Sequence, residues 1–81
     1  MRLAVTPNPA STRARISLAP AGLRAELRLY ECGGRLVRLL WNGAAATRLD
    51  VPVVGLAPGT YFLRLSDDTG ATATERLVVA R

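Results

Sequence analysis

Short runs in which apolar and polar residues alternate one for one dominate this chain, and they restrict its fold more than any other feature. Ala14, Ile16 and Leu18 alternate with Arg13, Arg15 and Ser17. Ala25, Leu27 and Leu29 alternate with Arg24, Glu26, Arg28 and Tyr30. Leu49, Val51 and Val53 alternate with Arg48 and Asp50, and Tyr61, Leu63 and Leu65 with Thr60, Phe62, Arg64 and Ser66. Leu77 and Val79 repeat the theme between Arg76 and Arg81. A strand turns successive side chains to opposite faces, so each run buries one face and leaves the other to water.

Turn residues fall between the runs. Pro20-Ala21-Gly22, Glu31-Cys32-Gly33-Gly34, the stretch from Gly55 to Gly59 and Asp67-Asp68-Thr69-Gly70 all interrupt the alternation. Asn42-Gly43 predicts a further tight turn, because both residues tolerate positive φ. Ala44-Ala45-Ala46 reads as a bulge or loop. Residues 35–41 carry Leu36, Val37, Leu39, Leu40 and Trp41 at partly helical spacing, but the segment is too short for a normal helix. The pattern predicts an all-β chain of six or seven short strands. One hairpin would be marginal in water, so the strands must pack as two sheets, and spacing of about ten residues per strand favours a small β-sandwich. Leu27, Leu29, Leu63 and Leu65 are the predicted centre of the core, with Ile16, Phe62 and Trp41 as its bulkier members. At 81 residues, one domain over 1–81 is expected.

The side-chain inventory excludes several chemistries. Eleven arginines face six acidic residues for a net charge of +5, and neither Lys nor His occurs. Imidazole therefore serves neither proton transfer nor metal ligation here. Ser11, Ser17, Ser66 and Cys32 have no His to activate them. Asp67 and Asp68 sit together on a predicted turn, where carboxylates cap backbone N–H groups rather than converge across a cleft. No catalytic residue, metal site or cofactor is expected. Arg24, Arg28, Arg35, Arg38, Arg48 and Arg64 could form a basic face, but stacking aromatics are few and arginine alternating with leucine suits a solvated sheet. No nucleic-acid partner is expected. The lone Cys32 cannot form an internal disulfide and is predicted to be a half-buried structural thiol. No apolar run reaches the roughly 18 residues of a membrane span, and Met1–Val5 lacks the long apolar region of a signal peptide. The chain is thus read as intracellular or as a piece of a longer exported protein.

Two local features carry more detail. Pro7 and Pro9 cannot donate to a ladder, which places them at a boundary or sheet edge. In Leu56-Ala57-Pro58-Gly59-Thr60-Tyr61, Pro58 and Gly59 predict a tight turn before a strand opening near Tyr61. A Tyr at such a position in a sandwich sends its hydroxyl back to backbone a few residues upstream.

Four segments in order resemble the C-terminal sorting domain (type A) of cargo proteins of the type IX secretion system. Val5-Thr6-Pro7-Asn8-Pro9-Ala10 resembles the family's Pro-Asn-Pro opening. Leu29-Tyr30-Glu31-Cys32-Gly33-Gly34-Arg35-Leu36-Val37 resembles its strand–turn–strand with a Gly-Arg-x-Val exit. The Leu56–Tyr61 segment, continuing through Leu65, resembles its Leu-x-x-Gly-x-Tyr motif, and Arg76–Arg81 its basic last strand. Glu31 stands where the family often has Asp, and Arg76 and Arg81 where Lys is common.

The resemblance implies an immunoglobulin-like β-sandwich of antiparallel strands. It implies a targeting role. An upstream cargo domain in the precursor would cross the outer membrane through a translocon, and a cell-surface sortase would then remove the domain. The implied partners are that translocon or a shuttle protein, the sortase and the cargo, and the implied location is the cell surface or beyond. Pro7, Asn8, Pro9, Arg76 and Arg81 are the candidate recognition residues, because a basic edge strand offers strand pairing and charge pairing to a receptor. Gly34, Arg35, Val37, Leu56, Gly59 and Tyr61 are the structural motif. Two other readings stay open. One is an assembly module similar to the flagellar hook-capping family, whose Trp-Asp-Gly segment would lie later than Trp41-Asn42-Gly43. The other is a glycan-binding accessory module using an exposed Trp41.

Overall fold

The computed structural model describes residues 2–6 and 10–80. The alternating runs become seven strands among these residues: β1 (Arg2–Thr6), β2 (Arg13–Ala19), β3 (Arg24–Glu31), β4 (Leu36–Ala44), β5 (Arg48–Pro52), β6 (Gly59–Asp67) and β7 (Thr72–Val79). They form two sheets, ordered β1-β2-β5 and β4-β3-β6-β7, with all strand neighbours antiparallel. The chain leaves the hairpin of β3 and β4 for β5 in the other sheet, then returns as β6 beside β3. That order is an immunoglobulin-like sandwich.

Register explains the core. Leu27 lies opposite Leu65 and Leu29 opposite Leu63, and all four are fully buried, as the alternation predicts. Ile16 is fully buried in the facing sheet, beside Val5 and near Ala14 and Leu18. Burying each such Leu or Ile contributes roughly 1.5–3 kcal/mol. No polar or charged residue is buried among the described residues, so apolar contact between the two faces is what joins the sheets.

Strand β4 departs from expectation. Asn42 and Gly43 do not turn the chain; they continue the ladder opposite Glu26 and Ala25. Pairing along β3 outweighs the local turn preference. The Trp41 ring also lies over the open side of Gly43, and its Nε1 donates to the Ala44 carbonyl at 3.0 Å. The chain leaves the sheet only after Ala44. Irregular spacing over 35–41 has a simple cause: the register slips twice, beside Leu27/Arg28 and beside Leu29/Tyr30, so Leu40 and Val37 are extra residues in β4. Such bulges break period two without ending the strand. Phe62 is not a core residue. It takes the outward phase of β6, between buried Tyr61 and Leu63.

Ala10 joins the two sheets at their margin. Its N–H donates to the Val78 carbonyl at 2.8 Å, and the Ala80 N–H donates to the Ala10 carbonyl at 2.8 Å. Ala10 therefore lies parallel to the end of β7 and is fully buried. After β1 the chain has crossed from the three-stranded sheet to the edge of the four-stranded one.

Candidate functional site

The motif segments are scattered in sequence but gather at one end of the four-stranded sheet. Strand β6 starts there, and its first residues pair with the last of β7: Gly59 with Val79, Thr60 with Val78, Tyr61 with Leu77. On its other side Tyr61 lies opposite Glu31, the last residue of β3. The β3–β4 turn therefore sits beside the start of β6, and Ala10 sits beside the end of β7.

Each motif residue has a local reason for its place. Gly34 adopts φ +92°, a left-handed conformation that residues with a Cβ resist, and this lets its N–H reach the Glu31 carbonyl at 2.9 Å. The chain then returns so that the Glu31 N–H donates to the Arg35 carbonyl at 3.0 Å. Arg35 adds an ion pair with Glu31 at 3.2 Å. Both side chains are well exposed, so the pair contributes at most about 1 kcal/mol. Val37 is the bulged residue at the start of β4 and is exposed. Leu56 is buried and its N–H donates to the Val53 carbonyl. The Tyr61 hydroxyl donates to the Ala57 carbonyl at 2.6 Å, as expected from the sequence. A hydrogen bond of this kind contributes about 0.5–1.5 kcal/mol and fixes the corner from which β6 departs.

Of the candidate recognition residues, Arg76 lies on β7 opposite Phe62, on the outer face of the sheet. Pro7, Asn8, Pro9 and Arg81 lie outside the described residues. Their nearest described neighbours in sequence, Ala10 and Ala80, hydrogen-bond to each other. Cys32 is exposed rather than half-buried, because it stands in the turn beyond the last residue of β3. An open cleft of about 410 Å³ lies between this turn and Pro58-Gly59-Thr60.

The opposite end of the sheet is a clasp. The Asp67 carboxylate accepts N–H bonds from Ala21 and Gly22 in the β2–β3 connection and from Thr69 and Ala71 in its own hairpin, together with the Thr69 hydroxyl. The Thr69 hydroxyl most of all, then the backbone donors, outweigh desolvation and hold the Asp67 carboxyl down at about 2. Asp68 accepts from Leu23 N–H. A Cβ on Gly22 would collide with the Asp68 carboxylate, so a larger residue there would have to displace that side chain from the Leu23 N–H. These are the turn carboxylates of the sequence, acting as caps. Asp50 is elsewhere, paired with Arg15 across β5 and β2.

Sequence reasoning overlooked Ala10. Its only signal was a small apolar residue following a Pro-x-Pro segment. Trp41 packs against the core with its N–H engaged, which is not the free indole plate that glycan binding uses.

The site is thus one end of the sandwich, tied by backbone hydrogen bonds and the Tyr61 hydroxyl, with the Arg35 side chain exposed. The family model for the secretion system C-terminal sorting domain matches residues 4–80, and the chain belongs to that family. It is a type IX secretion sorting signal, of a family that does not consist of enzymes, and such a signal marks a protein for export to the cell surface or outside. No curated protein matches the chain.

Proposed function

We propose that residues 1–81 form one folding unit that carries an upstream cargo across the outer membrane, through recognition by a translocon or shuttle protein at the end where Ala10 meets the close of β7. A cell-surface sortase then takes the domain as its substrate. One observation carries this reading: Ala10 and Ala80 are hydrogen-bonded, so the residue that follows Pro9 in sequence and the residue that precedes Arg81 are neighbours. A receptor could then engage the Pro7-Asn8-Pro9 lead-in and the Arg76 and Arg81 charges as one surface. Charge pairing of that kind sets partner choice and encounter rate.

Removing the last six residues would be a poor test, since Leu77 and Val79 are core residues. Charge reversal is cleaner. A reporter fused to the Arg76→Glu/Arg81→Glu double variant is expected to accumulate in the periplasm, while the variant domain melts near the parent temperature. Undiminished export of that folded fusion would contradict the reading.

A further inference from the structure

The outer face of the four-stranded sheet departs from the polar surface that a solvated sheet face carries. Tyr30 and Phe62 lie opposite each other there, both half-buried, with Leu36 opposite Tyr30 on β4 and 47 % exposed. One row along, Arg28 lies directly opposite Arg64, and Leu39 lies opposite Arg28. An open cleft of about 300 Å³ runs against this face, with Tyr30, Phe62 and Arg64 among its walls.

Like charges directly opposite on one face destabilise a sheet. Arg28 is compensated: the Tyr30 hydroxyl and the Glu26 carboxylate, 2.5 Å away, raise its pKa above the ordinary value. Arg64 has no such compensation, for no hydrogen bond or ion pair engages its side chain among the described residues. Arg76, opposite Phe62, adds a third guanidinium beside the aromatic pair. Glu26 is the one carboxylate that the strand register puts on this face among the described residues, and Glu31, which also lines the cleft, is paired with Arg35. Aromatic and arginine side chains at the centre of a patch are the composition of binding hot spots.

The sheet edges are less available. Ala10 covers the end of β7, and two bulges interrupt the open edge of β4. We propose that the outer face, rather than an edge, docks an acidic segment of a partner protein in the export route. An apolar side chain of the partner rests on Tyr30 and Phe62 while a carboxylate of the partner pairs with Arg64. Charge selects this occupant. A second copy of the chain, at +5, would set arginine against arginine. A lipid surface would need aromatic side chains that project, and these two lie half-buried in the face.

The inference rests on the sorting reading only in assigning the partner to the export route. Binding is measured without that assumption, using the full chain and a short fluorescein-labelled peptide of alternating Glu and Leu. Anisotropy is expected to show binding that weakens about tenfold or more for Arg64→Glu and for Phe62→Thr. It should change less than about twofold for Arg48→Glu on β5. Should Arg64→Glu fail to fold, Arg64→Gln and Phe62→Thr carry the same comparison. A Lys–Leu peptide should prefer Arg64→Glu over the parent. The proposal is overturned by absent binding, or by equal loss with Arg48→Glu. It is overturned by tighter binding to phosphatidylglycerol vesicles that Arg64→Glu abolishes, or by dimerisation in gel filtration that Arg64→Glu abolishes. Reporter export separates the two claims. Loss of export with folded Arg64→Glu supports the docking face. Retained export beside lost peptide binding removes this face from the route and leaves the reading of the Ala10 and β7 end standing.

Discussion

Asp67 shows how much one side chain can organise in a small sandwich. Five donors from two connections converge on its carboxylate, so ionisation and the tying of the β2–β3 connection to the β6–β7 hairpin are one event. Its folded pKa of about 2 lies below the ordinary value of 3.8. A depressed folded pKa means that the stabilisation is fully present above the unfolded pKa and is lost as pH falls through the folded one. The melting temperature should therefore drop between about pH 4 and pH 2. Asp67→Asn should melt lower at neutral pH and show a flatter acid limb than the parent. Equal acid limbs in thermal melts of the two proteins would remove Asp67 from this role. The turn pair Asp67-Asp68 was legible as a capping site because short carboxylates on a hairpin have little else to bond. Which connection they cap was not, since Ala21 and Gly22 are distant in sequence.

Strands were legible to the extent that period two survived. In β2, β3 and β6 it survives intact, and Leu27, Leu29, Leu63 and Leu65 are buried as the alternation requires. In β4 two bulges shift the phase, and Leu36, Val37 and Leu39 end up exposed although each looks like a core residue. No pattern within the strand announces this, because bulges are set by the partner β3. Asn42-Gly43 misleads for a related reason: turn preference is local, whereas strand pairing and the Trp41 ring over Gly43 are not. The turn before β4 was read correctly because Gly34 must adopt positive φ there. A Cβ at Gly34 would meet nothing within 4 Å, so the cost of substitution is conformational alone. Gly34→Ala should lose about 1–2 kcal/mol in urea unfolding, the usual penalty for a left-handed alanine. A loss near zero would mean that the turn relaxes to another conformation.

At the scale of the whole molecule, the sandwich brings distant segments to one end while a carboxylate clasp closes the other. The family resemblance was legible because its segments occur in order along the chain. Their convergence was not, since it depends on Ala10 crossing from one sheet to the other. The candidate docking face was half legible. Tyr30 and Phe62 occupy the polar phase of their strands, but only register reveals that they are neighbours. Everything proposed for recognition at that end depends on the bridge between Ala10 and the end of β7. Amide hydrogen exchange at Ala10 and Ala80 tests it most directly. Both amides should be protected to a degree comparable with the β6–β7 ladder, and Ala10→Pro, which removes one donor, should abolish protection at Ala80 as well. Free exchange at both amides in the parent protein, with β3 and β6 still protected, would contradict the account.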